Sequence, residues 1–288
     1  MNIRTDLALE KHESLSGSVP EGVRFSRESG ENTVTTRIEV LDHRGARALG
    51  KPEGVYYTVE TNGFPDASAL CDERLTAVRK VLSELVPREG AVLVAGLGNP
   101  RITPDALGPG CASMIFSTRH LGKQVLEELG LPELRQVCAV CPGVTGQTGL
   151  EASEIIAGIC ANVKPAAVIT IDALAAGSVK RLANTVQLSS AGIEPGSGVG
   201  NARKALNKEN LGVPVVAVGV PTVVDAVSLA RDVTGDENTV ACHDDFASFM
   251  VTPRNIDIVT EQASRFLALA INGVLHPELS DAQLISLI

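Results

Sequence analysis

The chain has 288 residues, 44% of them hydrophobic and 20% charged, an ordinary globular composition long enough for one large domain. Its net charge of −9 argues against a broad surface for nucleic-acid phosphates, and no apolar run is long enough to span a bilayer. Trp is absent and aromatics are only 3%, so the core must be built from Val, Leu, Ile and Ala, which suits a sheet packed under helices better than an aromatic-rich sandwich.

Residues 1 to about 33 are polar and rich in turn formers, and read as an arm that orders only in part. The opening residues do not form a signal peptide, so the expected location is the cytoplasm. There the six cysteines (Cys71, Cys111, Cys138, Cys141, Cys160 and Cys242) are expected to be buried thiols. Strand-like alternation covers residues 33–41 and 54–60, a possible small β subregion within 34–60. An amphipathic helix is expected over residues 67–85, capped by Asp66 and stopped by Pro87.

The strongest α/β pattern starts at Ala91. A buried strand over 91–95 breaks at Gly96-Leu97-Gly98-Asn99-Pro100. Further strands are expected at 137–141, 166–171 and 213–220, with helices at 151–163 and 255–272. Alternating strands and helices predict a mixed, largely parallel sheet flanked by helices, with extra strands at the amino end. Between the last two strands, residues 193–201 (Ile-Glu-Pro-Gly-Ser-Gly-Val-Gly-Asn) are too Gly-rich for an element and long enough to be functional.

Two aspartates stand out. Asp105 follows the glycine turn, near the start of an expected helix over 111–121, so a helix cap is an equally good reading of it. Asp172 follows the apolar run Ile169-Thr170-Ile171, where a charge needs a partner or a function. Both are expected at the carboxyl edge of the sheet, where open α/β sheets bind ligands. If they face each other, one carboxyl is held protonated, and the pair has the chemistry of hydrolysis by activated water. The same pair also suits a divalent metal, for which His243 is the only His candidate near an apolar segment, although nothing in the spacing places it at the two aspartates.

Other motifs weigh less. Gly96-x-Gly98 lacks the third glycine of a dinucleotide turn, because Arg101 stands there. Cys138 and Cys141 form a lone CxxC inside a strand, there is no G-x-S-x-G elbow, and Lys204 and Lys208 read as a solvated helix face.

Several segments together resemble the germination protease (GPR endopeptidase) family. They are Arg4-Thr5-Asp6-Leu7-Ala8, Gly96-Leu97-Gly98-Asn99 with Thr103-Pro104-Asp105-Ala106-Leu107-Gly108-Pro109, Ile171-Asp172-Ala173-Leu174-Ala175-Ala176, Gly196-Ser197-Gly198-Val199-Gly200-Asn201 and Met250-Val251-Thr252-Pro253. The resemblance covers nearly the whole chain. It implies a fold similar to the hydrogenase-maturation proteases and an aspartic-type endopeptidase without a cofactor. Its functional aspartates are Asp105 and Asp172, in a site lined by Gly96, Gly98, Asn99, Gly196, Gly198 and Asn201. Its substrates are the small acid-soluble proteins of the spore core, not nucleic acid or membrane. It also implies a homotetrameric zymogen that cuts itself after an acidic residue followed by an apolar residue and Ala. Thr5-Asp6-Leu7-Ala8 fits that rule. The expected cut is therefore Asp6–Leu7, with residues 1–6 as propeptide and 7–288 as one peptidase domain.

Three other readings compete with this one. One is a metal-dependent maturation-type peptidase. Another is a peptidyl-tRNA hydrolase, suggested by Gly-Leu-Gly-Asn-Pro and Thr118-Arg119-His120 but opposed by Arg101, Leu121 and the acidic charge. The third is a nucleoside or phosphate binder using glycine loops at helix starts.

Overall fold

The computed structural model describes residues 5–15, 19–64, 72–128, 130–200, 203–235 and 249–287. In chain order, the amino-terminal part forms α1 (Ala8–Glu13), β1 (Val23–Ser29), β2 (Val34–Val40), α2 (His43–Leu49), β3 (Gly54–Glu60) and α3 (Glu73–Leu85). Then come β4 (Val92–Gly96), α4 (Leu107–Ser113), α5 (Lys123–Glu128), β5 (Val137–Val140), α6 (Thr145–Thr148), α7 (Ala152–Val163), β6 (Ala167–Ala176) and β7 (Thr185–Ser189). The rest is α8 (Lys208–Leu211), β8 (Val215–Asp225), α9 (Ala226–Thr234), β9 (Met250–Val251), α10 (Ile256–Leu275) and α11 (Asp281–Ile285). Single 3-10 turns lie at Thr103–Asp105, Val179–Arg181 and Ser197–Val199.

The strands form one sheet in the order β1-β2-β3-β7-β8-β6-β4-β5, with β9 added to the end of β8. Pairings are parallel among β5, β4, β6 and β8, and antiparallel through β7, β3, β2 and β1. The mixed α/β architecture is the one the sequence pattern predicts. The 34–60 strands are not set apart from it, because they continue the same sheet.

Side chains alternate across the strands, so each strand feeds two layers. Val92, Val94, Ile169, Ile171, Val186, Leu188 and Val218 face α3, α4 and α10, where Val78, Leu82, Phe266, Leu267 and Ile271 complete the main core. Leu93, Ala95 and Val168 face the other way, onto Ile156 and Cys160 of α7. At the antiparallel end that second face is covered by α1, whose Ala8 and Leu9 pack on Ile38, Val40 and Tyr56.

Several expectations change. The amino-terminal arm is largely built into the fold, as α1 and β1, because α1 carries enough apolar surface to close the second face. The helix expected over 67–85 starts at Glu73, where Asp72 caps it by accepting from the N–H groups of Arg74 and Leu75. Asp66 and Cys71 lie outside the described residues. The helix expected over 111–121 is α4, and it has already ended at Ser113. Cys111 and Cys160 are buried, but Cys138 is half-buried and Cys141 exposed, because β5 is the outer strand of the sheet. Cys242 and His243 lie outside the described residues. Among those residues no helix is long and apolar enough to cross a membrane.

Candidate active site

Asp172 is not at a strand end. It lies inside β6, which runs on to Ala176 alongside β8. Its other neighbour, β4, pairs only as far as Gly96 with Ile171. Asp172 is thus the first β6 residue past the end of β4, which puts it at the sheet's carboxyl edge on that side alone. Its side chain points to the face opposite the main core and is 5% exposed. Burial, then the charges of Asp105 and Asp6, push its pKa well above the ordinary carboxylate range, against one hydrogen bond from the Ala173 N–H at 2.9 Å. The shift favours the protonated form of the group.

Asp105 sits on the 3-10 turn before α4. It does not cap α4, whose first turn has no side-chain cap. Its Oδ2 instead accepts from the Asn99 N–H at 2.7 Å. The turn is pinned on two sides: Thr222 of β8 donates to the Pro104 carbonyl at 2.7 Å, and Thr260 of α10 to that of Thr103 at 3.3 Å. Burial raises the Asp105 pKa, and the Asn99 N–H opposes the rise. Gly98 makes the approach possible. Its φ is +111°, and a Cβ there would meet the Asp105 carbonyl oxygen at 2.1 Å.

Both aspartates line one cavity of about 560 Å³, together with Gly98, Asn99, Gly196 and Asp6. Gly96 does not line it; it lies under α4, where a Cβ would strike the Gly108 carbonyl oxygen at 2.2 Å. Asn201 lies outside the described residues. Within the described part of the glycine loop, 193–200, lies one 3-10 turn, made possible by Gly196 and Gly200 at φ near +75°. Lys204 lines the cavity rather than a helix. Of the Thr118-Arg119-His120 motif, Thr118 is buried and bonds the Arg135 carbonyl, and neither Arg119 nor His120 lines the cavity. Among the described residues no three His, Cys, Asp or Glu side chains gather as a metal cage.

The segment around Asp6 lies in this site. Its N–H donates to the Ala175 carbonyl at 3.0 Å, extending the edge of β6. Its carboxylate accepts from the Ala175 N–H at 2.8 Å and the Ser197 hydroxyl at 2.9 Å. Gly198 faces it closely, since a Cβ there would lie 2.2 Å from Oδ2. Leu7 is fully buried against Leu174, Ala176 and Ile193. Glu10 ties the segment down by accepting from the Gly177 N–H at 2.6 Å and from the Thr5 hydroxyl. Two residues that sequence reasoning missed meet the Asp6 carbonyl oxygen: Lys51 Nζ and Gln187 Nε2, each at 2.8 Å. No local motif marks either one.

The site of this α/β protein is thus a buried Asp172 and a half-buried Asp105 on one cavity, with a peptide segment of the chain held against it. Comparison with known proteins identifies its class. The family model described as germination protease matches residues 4–236. The chain is 40% identical to the germination protease of Caldanaerobacter subterraneus subsp. tengcongensis, over 99% of this chain and 97% of that one. It is 38% identical to the germination protease of Clostridium perfringens, over 96% of each. A solved hydrogenase maturation protease, HycI from Thermococcus kodakarensis, aligns with a TM-score of 0.40 at 20% identity, over 68% of this chain and 98% of that one. The chain belongs to the germination protease family and is a peptidase.

Proposed function

We propose that this protein is an aspartic-type endopeptidase that cuts after acidic residues, is made as a zymogen, and first cuts its own Asp6–Leu7 bond. The observation that carries this reading is the docking of Asp6 beside Asp172, with its carboxylate on Ala175 and Ser197 and Leu7 in an apolar pocket. Uncut, the segment occupies the place a substrate needs, which accounts for inactivity before processing.

In the mechanism Asp105, whose ionised form the Asn99 N–H favours against the effect of burial, takes a proton from water as the water oxygen attacks the Asp6 carbonyl carbon. Asp172 gives its proton to the Leu7 nitrogen as the C–N bond breaks. The products are a free Asp6 carboxyl and a free Leu7 amine, and exchange with solvent restores the two carboxyl groups. In the same reading the enzyme degrades small acid-soluble spore proteins in the spore core and assembles as a homotetramer.

The test is incubation of the full chain, followed by mass spectrometry of its amino terminus and by addition of a purified small acid-soluble spore protein. A mature terminus at Leu7 and cuts after acidic residues in the added protein are expected. A chain that stays intact, or is cut elsewhere, defeats the self-processing reading.

A further inference from the structure

We propose that Lys51 and Gln187 form the oxyanion hole of this peptidase. The inference rests on the reading that Asp6–Leu7 is a bond the enzyme cuts, and it adds two catalytic residues to that reading.

The first support is convergence. A carbonyl oxygen that receives two side-chain donors at 2.8 Å is already in the arrangement that stabilises negative charge when the carbon becomes tetrahedral. Neither donor is a flexible surface group. Gln187 lies in the middle of β7 and is 8% exposed. Lys51 follows the left-handed Gly50 that ends α2, and burial lowers its pKa while the Asp6 charge opposes the fall. A half-buried ammonium interacts with a developing oxyanion more strongly than one in open water.

The second support is the register of the sheet. Asp172 on β6 pairs with Gly219 on β8, and Gly219 pairs with Gln187 on β7. Residues paired across strands point to the same face, so Asp172 and Gln187 stand on one row, about 10 Å apart at their Cα atoms. Gly219 between them carries no side chain, and a Cβ there would strike Leu174 at 2.6 Å. That gap lets Leu174 lie over the row, and Leu7 packs on it. Asp6 spans the row. It borders the cavity of the two catalytic aspartates on one side and, on the other, a second cavity of about 260 Å³ lined by Lys51 and Gln187. Water is thus activated on one side of the peptide, and the oxygen's charge is received on the other.

The third support is that Gln187 grips the backbone rather than a particular side chain. Its Nε2 donates to the Asp6 carbonyl while its Oε1 accepts from the Ala8 N–H at 2.7 Å. This fixes which bond lies over the row in any extended substrate. During reaction the water oxygen bonds to the carbonyl carbon, the carbonyl electron pair moves to oxygen, and Lys51 and Gln187 hold that charge. When the C–N bond breaks the pair returns, and neither residue gains or loses a proton.

The experiment uses the full chain and the variants Lys51→Met, Lys51→Arg, Gln187→Leu and Gln187→Glu. It reads the first-order rate of cutting at Asp6–Leu7 and, once each variant has been cut to completion there, kcat and KM on an added peptide containing Thr-Asp-Leu-Ala. Lys51→Met and Gln187→Leu are each expected to lower both the self-cutting rate and kcat by about 10²–10³-fold, the cost of one oxyanion donor, and Gln187→Leu, which also loses the bond from the residue-8 N–H, should raise KM as well. Gln187→Glu keeps the acceptor for the residue-8 N–H but loses the donor, so it should be at least as slow as Gln187→Leu. Lys51→Arg, which keeps a cationic donor, should recover most of the rate. Unchanged kcat, or a rise in KM alone, in Lys51→Met and Gln187→Leu overturns the proposal while leaving the two-aspartate reading intact. A fully active Gln187→Glu, or a Lys51→Arg as slow as Lys51→Met, also overturns it. A wild-type chain that cuts neither itself nor the peptide defeats the underlying reading instead.

Discussion

The parallel and antiparallel halves of the sheet contribute differently to the same site. The parallel half, β5-β4-β6-β8, supplies carboxylates where β4 stops and its neighbour continues. The antiparallel half, through β7 and the loop after α2, supplies the groups that hold the peptide. In the proposed reading chemistry is placed beside the end of β4, and grip is shared between mid-strand Gln187 and the loop residue Lys51. If that division is right, substitutions in the parallel half remove the proton transfers, and substitutions in the antiparallel half weaken stabilisation or binding.

The largest effects should come from the aspartates. Asp172→Asn and Asp105→Asn each remove one partner of the proton transfer and should slow cutting at Asp6–Leu7 by about 10³–10⁴-fold, read as the rate at which the Leu7 terminus appears. Either variant cutting at the wild-type rate would break the division at its strongest point. Next comes Gly98→Ala. Its left-handed φ and the 2.1 Å approach to the Asp105 carbonyl force the turn to move. A loss of roughly 1–3 kcal/mol in urea denaturation is expected, together with slower cutting. Gly200→Ala, also at positive φ but with nothing within 4 Å, is the control for conformational strain alone and should keep its cutting rate. Equal losses of cutting in the two variants would mean that the close packing under Asp105 does not matter.

Asp172 should also cost stability. Its folded pKa is raised, chiefly by burial, so the folded chain keeps a proton that the unfolded chain loses above about pH 4. Across that window unfolding releases a proton. Its contribution to stability is therefore fully present at low pH and falls by about 1.4 kcal/mol per pH unit until the folded group itself ionises. Asp172→Asn removes the dependence. Urea midpoints of variant and wild type should be close near pH 4 and separate in favour of the variant as pH rises. Curves that stay parallel would show that Asp172 is ionised in the folded protein.

The division also explains what the sequence revealed. Glycines after a buried strand, and an aspartate after an apolar run, are local signals, and they located Asp105 and Asp172. They did not show that β6 runs on past Asp172, since only the early end of β4 makes that position an edge. The same local pattern occurs at Val224-Asp225, where the aspartate merely caps α9 by accepting from the Ser228 N–H and hydroxyl. Lys51 and Gln187 were illegible because their role arises from the pairing of β7 with β8 and the return of the chain's amino end, both non-local. The order of the polar arm is hidden from the sequence for a related reason. Glu10 and His12 look solvent-facing in sequence, yet both are buried in α1 beside Leu9.

The smallest predicted effect falls where the halves meet. The Asp6 carboxylate is held by the Ala175 backbone N–H of β6, which no side-chain truncation removes, and by the Ser197 hydroxyl, which Ser197→Ala does remove. A hydrogen bond to a charged group contributes about 1.5–3 kcal/mol, but the remaining donor and cavity water recover part of it. Ser197→Ala should therefore lower kcat/KM for peptides with Asp before the cut by about tenfold. For peptides with Asn there it should change little, because the neutral amide never gained the charged bond. The measurement is the ratio of the two kcat/KM values, wild type against variant. An equal loss on both peptides would mean that Ser197 shapes the loop without reading the charge, and the preference for an acidic residue would then rest on Ala175 alone.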